Sequence, residues 1–179
     1  MLQIRIPEFE GWDEKNEIFV HKKAQNLTME HSLVSISKWE AKYHKPFLSR
    51  EEKTTEETID YIRAMTLTQN VDPDVYERLT NENIFQIRNY IDNPMSATTF
   101  GKSNQPPNRE IITSELIYYW MVASNIPFEC QKWHLNRLLT LIRICSIKNQ
   151  PPKKMSTRDI LSRNAALNAA RRKKYNTKG

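Results

Sequence analysis

The sequence predicts an α+β protein, mainly α: a small N-terminal antiparallel β-meander, then a compact helical body and a basic C-terminal helix. Three observations predict it. Apolar and polar residues alternate through much of the first thirty positions, the period-two signature of half-buried strands. From His31 onward apolar residues recur at three- and four-residue spacing between proline and asparagine breakers. Charge is divided as sharply: residues 151–179 hold nine basic side chains and one acid, a net of +8, while 1–150 holds 18 basic and 20 acidic residues, a net of −2. At 179 residues one sizeable core is expected, divided here into 1–30, the meander packed on the body; 31–150, the body; and 151–179, the tail.

Leu2, Ile4 and Ile6 alternate with polar neighbours, Ile18-Phe19-Val20 lie within Glu17–Lys22, and Leu27 and Met29 alternate again within Asn26–Glu30. The polar stretch Glu10–Asn16 reads as a turn between the first two strands. So small a sheet needs helices packed on it. Val34, Ile36, Trp39 and Tyr43 mark a first helix that stops before Pro46. Thr54 with Glu57 forms a capping box ahead of Ile59, Ile62 and Met65. Asp72-Pro73 opens a short helix through Val75 and Leu79, and Thr80 caps another through Ile84, Ile87 and Ile91 that ends at Asn93-Pro94.

Residues 95–109 lack any period and form a long polar loop, of a length that favours partner binding over simple linkage. Leu116, Ile117, Trp120 and Met121 make an apolar helix broken near Asn125. The densest helical signal runs from Pro127 to Asn149, apolar on more than one stripe, and predicts a central helix buried on several sides. Pro151-Pro152 cuts the chain where the charge changes. Ser156 with Asp159 caps a last helix whose thin apolar stripe (Ile160, Leu161, Leu167 and alanines) suits docking better than core building.

Several chemistries find no support. The three glycines, Gly11, Gly101 and Gly179, are far apart, which excludes the clustered-glycine loops that cradle phosphates. Cys130 and His134 share a helix face if the helix is continuous, but zinc needs two further ligands and His21, His31 and His44 are isolated in sequence. Cys130 and Cys145, about 22 Å apart in such a helix at 1.5 Å per residue, read as reduced thiols. Glu51-Glu52 and Glu56-Glu57 fit helix N-termini better than acid–base catalysis. Trp39, Trp120 and Trp133 fit helix core faces. The sequence therefore predicts a non-enzymatic protein with no cofactor or metal, and no run of residues suits a membrane span or an export signal.

The candidate contact residues are for partners: Trp12, a large aromatic in a charged turn, and the cations Lys153, Lys154, Arg158, Arg163, Arg171, Arg172, Lys173 and Lys174. A cationic tail attracts nucleic acid or an acidic protein patch alike. Tyr175 is the one aromatic in the tail, so base stacking is poorly provided for.

Three blocks carry a resemblance: His31–Glu40 with Lys45-Pro46-Phe47-Leu48, then Ile126–Leu139, then Arg163–Arg172. Together they resemble the tail assembly chaperones of tailed bacteriophages of Gram-positive hosts, encoded beside the tape-measure protein. The resemblance implies a small, helical, self-associating protein of the host cytoplasm that binds the tape-measure chain, keeps it soluble and helps tail-tube subunits polymerise. The strand-rich first thirty residues depart from a wholly helical chaperone. They point alternatively to a structural virion protein of the neck or tail, while the basic tail points to a nucleic-acid-binding factor.

Overall fold

The computed structural model describes residues 1–13, 17–101, 110–151 and 156–177. Four strands open the chain: Leu2–Ile6 (β1), Phe9–Asp13 (β2), Ile18–Lys22 (β3) and Gln25–Met29 (β4). They pair antiparallel, as expected, but nested instead of in meander order: β1 with β4, and β2 with β3. The polar stretch at 10–16 is therefore corrected, since residues 9–13 are strand.

One register runs through both ladders, from Leu2↔Met29 to Ile6↔Gln25 and on from Phe9↔Lys22 to Asp13↔Ile18. The four strands are a single long hairpin interrupted at Pro7. Proline has no N–H to give a ladder, and the Pro7 carbonyl instead accepts from Arg78 Nη1 at 3.1 Å. Nesting places Ile4 opposite Leu27 and Leu2 opposite Met29 on one face, where Ile4, Leu27 and Met29 are buried.

Both outer edges of the β1–β4 ladder are covered. Residues after the second helix lie along β4: the Leu67 N–H donates to Thr28 O at 2.8 Å, the Glu30 N–H to Met65 O at 2.9 Å and the Thr28 N–H to Thr68 Oγ1 at 2.9 Å. A later helix packs on β1, with Asn83 Nδ2 donating to Arg5 O at 3.4 Å.

Leu33–Tyr43 (α1) is the centre of the body and packs on Thr55–Met65 (α2), on Ser114–Ala123 (α4) and on the 3-10 turn Phe128–Lys132. Ser32 caps it through a capping box with Ser35, and His44 ends it in the left-handed region at φ 54°, two residues ahead of Pro46. Leu33, Ile36 and Trp39 are buried along it. So is Glu40, whose carboxylate reaches out of α1 to accept the Phe47 N–H and the Ser114 N–H, each at 2.7 Å. A buried carboxylate on two amides, one at the start of α4, fastens three segments at one point.

The expected box of Thr54 with Glu57 starts α2, and Thr80 starts Asn81–Asp92 (α3). The segment after Asp72 is a 3-10 turn, Pro73–Tyr76, shorter than the helix expected there.

The helix predicted over 127–149 is corrected. Its first turn is the 3-10 turn, Trp133 is extended, and the α-helix (α5) runs Leu135–Asn149. His134 is the reason: its Nδ1 accepts the Asn136 N–H at 3.3 Å and its carbonyl takes the Leu138 N–H at 3.1 Å, so it caps a new helix. Nor is α5 buried on several sides. Leu135, Leu138 and Ile142 are buried, Leu139 and Leu141 only partly, and Ile147 is exposed. The central position belongs to α1.

The chain divides into two units, 1–147 and 148–179. The second contains Thr157–Tyr175 (α6), capped by Ser156, which accepts the Asp159 N–H at 3.1 Å, and ended by Asn176 at φ 49°. No residue of α6 is buried. Ile160 and Leu167 share a side, but Leu161 lies about 100° away and the alanines fill other faces, so the thin stripe expected is not formed. No described helix is long and apolar enough to cross a membrane.

Candidate functional site

Three features of the described residues bear on function. The first is the β2–β3 hairpin. In contrast to β1–β4 it has no buried residue among those whose burial is described, and its large side chains face outward: Phe9 is 50% exposed, Trp12 59%, Ile18 53% and Phe19 65%. Trp12 and Phe19 are directly opposite in the register and so share one face, beside the pair Glu10–His21, whose Oε1 and Nε2 are 3.3 Å apart. Phe9 and Gly11 share the other. A Cβ at Gly11 would come within 2.6 Å of the Phe9 ring, so the phenyl group lies back over bare backbone. Among the described residues no strand pairs with the outer edge of β2 or β3. Lys22 anchors the hairpin to the body, its Nζ 3.0 Å from Asp72 Oδ2 and 2.9 Å from Asp74 Oδ2, and both acids hold the ammonium pKa above its ordinary value.

The second feature is a cleft of about 610 Å³ on the body, lined from α1 by Val34 and Lys38, from α2 by Ala64, from the 3-10 turn by Lys132, from the extended link after it by Trp133, and from α5 by Arg137. Behind it stands a buried polar network. His31 Nδ1 hydrogen-bonds Tyr61 Oη, and the His31 ring meets His134 edge-on with centroids 5.1 Å apart. His134 Nε2 donates to Tyr90 O at 2.9 Å while its Nδ1 accepts, which defines the neutral tautomer. Tyr90 Oη in turn donates to Glu30 Oε1 at 2.7 Å.

Burial, with the neighbouring His134 second, pushes His31 down to about 3. Burial also lowers His134 and raises Tyr61 and Tyr90 above the usual phenol range. These shifts keep all four rings neutral. Two backbone contacts lock the network to both helices: the Leu135 N–H donates to His31 O at 2.7 Å, and Ser32 bridges His134. Their roles are thereby structural, a cap and a clamp between the starts of α1 and α5.

No family model, curated protein or solved structure matches this chain.

The third feature is α6, where Arg158, Arg163, Arg171, Arg172, Lys173 and Lys174 are all exposed. The last three close its final turn, where the helix dipole favours cations. Lys153 and Lys154 lie outside the described residues. Of the predicted contact residues, then, Trp12 is exposed on a strand and not in a turn, and the described cations share one helix.

Phe9, Ile18 and Phe19 escaped the sequence reading, although Ile18-Phe19-Val20 carried the signal: three consecutive apolar residues in a two-stranded ladder cannot all face a core. The cleft had no local signal at all, because its walls come from segments a hundred residues apart. Cys130 and His134 do not share a helix, and among the described residues no three of His, Cys, Asp and Glu come together as metal ligands. Cys130 is buried and Cys145 half-buried, both free thiols.

Proposed function

We propose that this protein is a non-enzymatic assembly factor that binds other proteins through its β2–β3 hairpin. The observation that carries the reading is the exposed set Phe9, Trp12, Ile18 and Phe19 on a ladder with open edges. An open edge offers main-chain hydrogen bonds to an extended segment, and the flanking aromatics supply apolar area. Fully burying one large apolar side chain is worth roughly 1.5–3 kcal/mol, so the four together contribute roughly 6–12 kcal/mol toward offsetting the losses on association, with main-chain hydrogen bonds to the open edge adding to them. The three sequence blocks that resemble tail assembly chaperones support a specific client: a phage tape-measure protein held soluble in the host cytoplasm while tail-tube subunits polymerise, with self-association of the factor.

Co-expression with a tape-measure fragment tests this. A soluble complex that is lost with Trp12→Ser and Phe19→Ser supports it; a fragment that stays insoluble, or a complex indifferent to both substitutions, refutes it. Mass spectrometry of intact particles separates the chaperone from a structural neck or tail protein, which would be present there in fixed copy number.

A second reading draws on α6. Six exposed cations on one described helix with Asp159 as its one acid favour phosphate contact, and so a nucleic-acid-binding role. Binding to duplex DNA that weakens steeply with salt supports it; salt-insensitive binding speaks for a protein client.

A further inference from the structure

The cleft beside α1 has a composition of its own. Its volume, about 610 Å³, lies in the range of sites for small ligands or a few side chains, short of the groove a whole helix needs. Val34, Ala64, Leu67, Met95 and the Trp133 indole give it apolar walls, and Lys38, Lys132 and Arg137 stand among them.

Among the described residues one carboxylate lines it, and that one is already committed. Glu30 accepts from Tyr90 Oη through Oε1, and its Oε2 pairs with the Met1 ammonium at 3.1 Å. Lys38 and Lys132 enter no ion pair among the described residues and are exposed. Arg137 lies over the Trp133 indole, its Cζ 4.2 Å from the ring centroid. A guanidinium stacked in this way keeps its N–H edge for a bidentate carboxylate and loses little freedom on binding one. The walls are equally fixed: the Trp133 N–H donates to Cys130 O at 3.0 Å, and the next residue, His134, is clamped to Ser32 and to the Tyr90 carbonyl. Apolar walls with three cations and no spare anion fit one kind of occupant.

We propose that this cleft binds a short acidic segment of a partner protein in which a large apolar side chain stands next to one or more carboxylates. The apolar side chain lies against Leu67 and Trp133, and the carboxylates meet Lys38, Lys132 and Arg137. This rests on the reading of the chain as a protein-binding factor, but it concerns a surface separate from the hairpin. Three cations around an apolar pocket suit a peptide better than a nucleic-acid strand, which needs cations along a groove that tracks successive phosphates.

The test is selection of random twelve-residue peptides, displayed on yeast, against the full-length protein, followed by fluorescence anisotropy on the enriched peptides. The expected result is enrichment of Asp or Glu beside Phe, Leu or Trp. Affinity should fall about tenfold or more with the pair Lys38→Glu and Lys132→Glu, and similarly with Leu67→Ser. Exchanging the peptide's own Glu for Gln should weaken binding to the unaltered protein, as should raising salt, and both measurements stand even if a variant fails to fold. Absence of enrichment overturns the proposal, as does enrichment of peptides without acids. Peptides that ignore the cleft substitutions but are lost with Trp12→Ser and Phe19→Ser overturn it while leaving the hairpin reading intact. That reading fails separately, in the co-expression experiment.

Discussion

Acidification should destabilise this protein well before its ion-paired carboxylates titrate, and His31 is the main reason. Its ring is 2% exposed, is bonded to the Tyr61 hydroxyl and faces His134 at 5.1 Å, so a proton would place a cation in a dry site beside a second imidazole. Its pKa therefore falls to about 3 from an ordinary 6.5. The unfolded chain takes up a proton as pH drops through about 6.5, whereas the folded chain does not until about 3. In that window the unfolded state holds more protons, so stability rises with pH and is lost on acidification. His31 alone then removes up to about 1.4 kcal/mol per pH unit, and roughly 2.3 kcal/mol between pH 6.5 and 4.5 because the unfolded ring is only half protonated at the upper end.

His134, lowered by the same burial, acts in the same direction. The ion-paired acids Glu57, Asp60 and Asp72, held below their ordinary range by Lys45, Lys42 and Lys22, lose their contributions only at lower pH. Urea unfolding measured at pH 7.5, 6.5, 5.5 and 4.5 reads the effect as a midpoint falling by roughly 1–2 M across the window. His31→Gln keeps a polar partner for Tyr61 but cannot titrate, and its slope should be shallower by about 1.4 kcal/mol per unit. A wild-type stability flat from pH 6.5 to 4.5, or a His31→Gln variant with the full slope, refutes the reasoning.

Glu40→Ala strands two buried amide donors, Phe47 N–H and Ser114 N–H, and should lower stability by about 4 kcal/mol and the melting temperature by about 10 °C; a change under about 1 kcal/mol in chemical unfolding would falsify the fastening role. Trp12→Ser and Phe19→Ser should leave unfolding within about 0.5 kcal/mol of the parent while weakening client binding about thirtyfold, read by titration calorimetry. Replacing Arg171, Arg172, Lys173 and Lys174 together by Gln should reduce the salt dependence of duplex DNA binding by roughly three to four in log–log slope. An unchanged slope would assign those cations no phosphate contact.

Local chemistry made much of the fold legible in the sequence. Ser and Thr caps at Thr54, Thr80 and Ser156, and breakers at Pro46, Asn93 and Asn125, set helix limits because each works through backbone groups within three or four residues. The division of charge at 150/151 is likewise a property of sequence alone. Strand positions were readable from alternation, but their order was not. Alternation says which residues share a face and nothing about which strand lies beside it, and the nested pairing follows from a register that joins Leu2 to Met29 across twenty-seven positions.

The break before α5 was hidden for a related reason. Phe128–Leu139 has good helical periodicity, and only the fit of His134 against Tyr90 and Ser32 makes an extended Trp133 the better solution. Trp12 could be marked in advance as a large aromatic among charged neighbours. That Phe9, Ile18 and Phe19 join it in solvent depends on Pro7 ending the ladder that the body covers. The cleft belongs wholly to tertiary structure: Lys38, Leu67, Trp133 and Arg137 have no common pattern in the chain, and they meet because burying α1 brings the starts of two distant helices together.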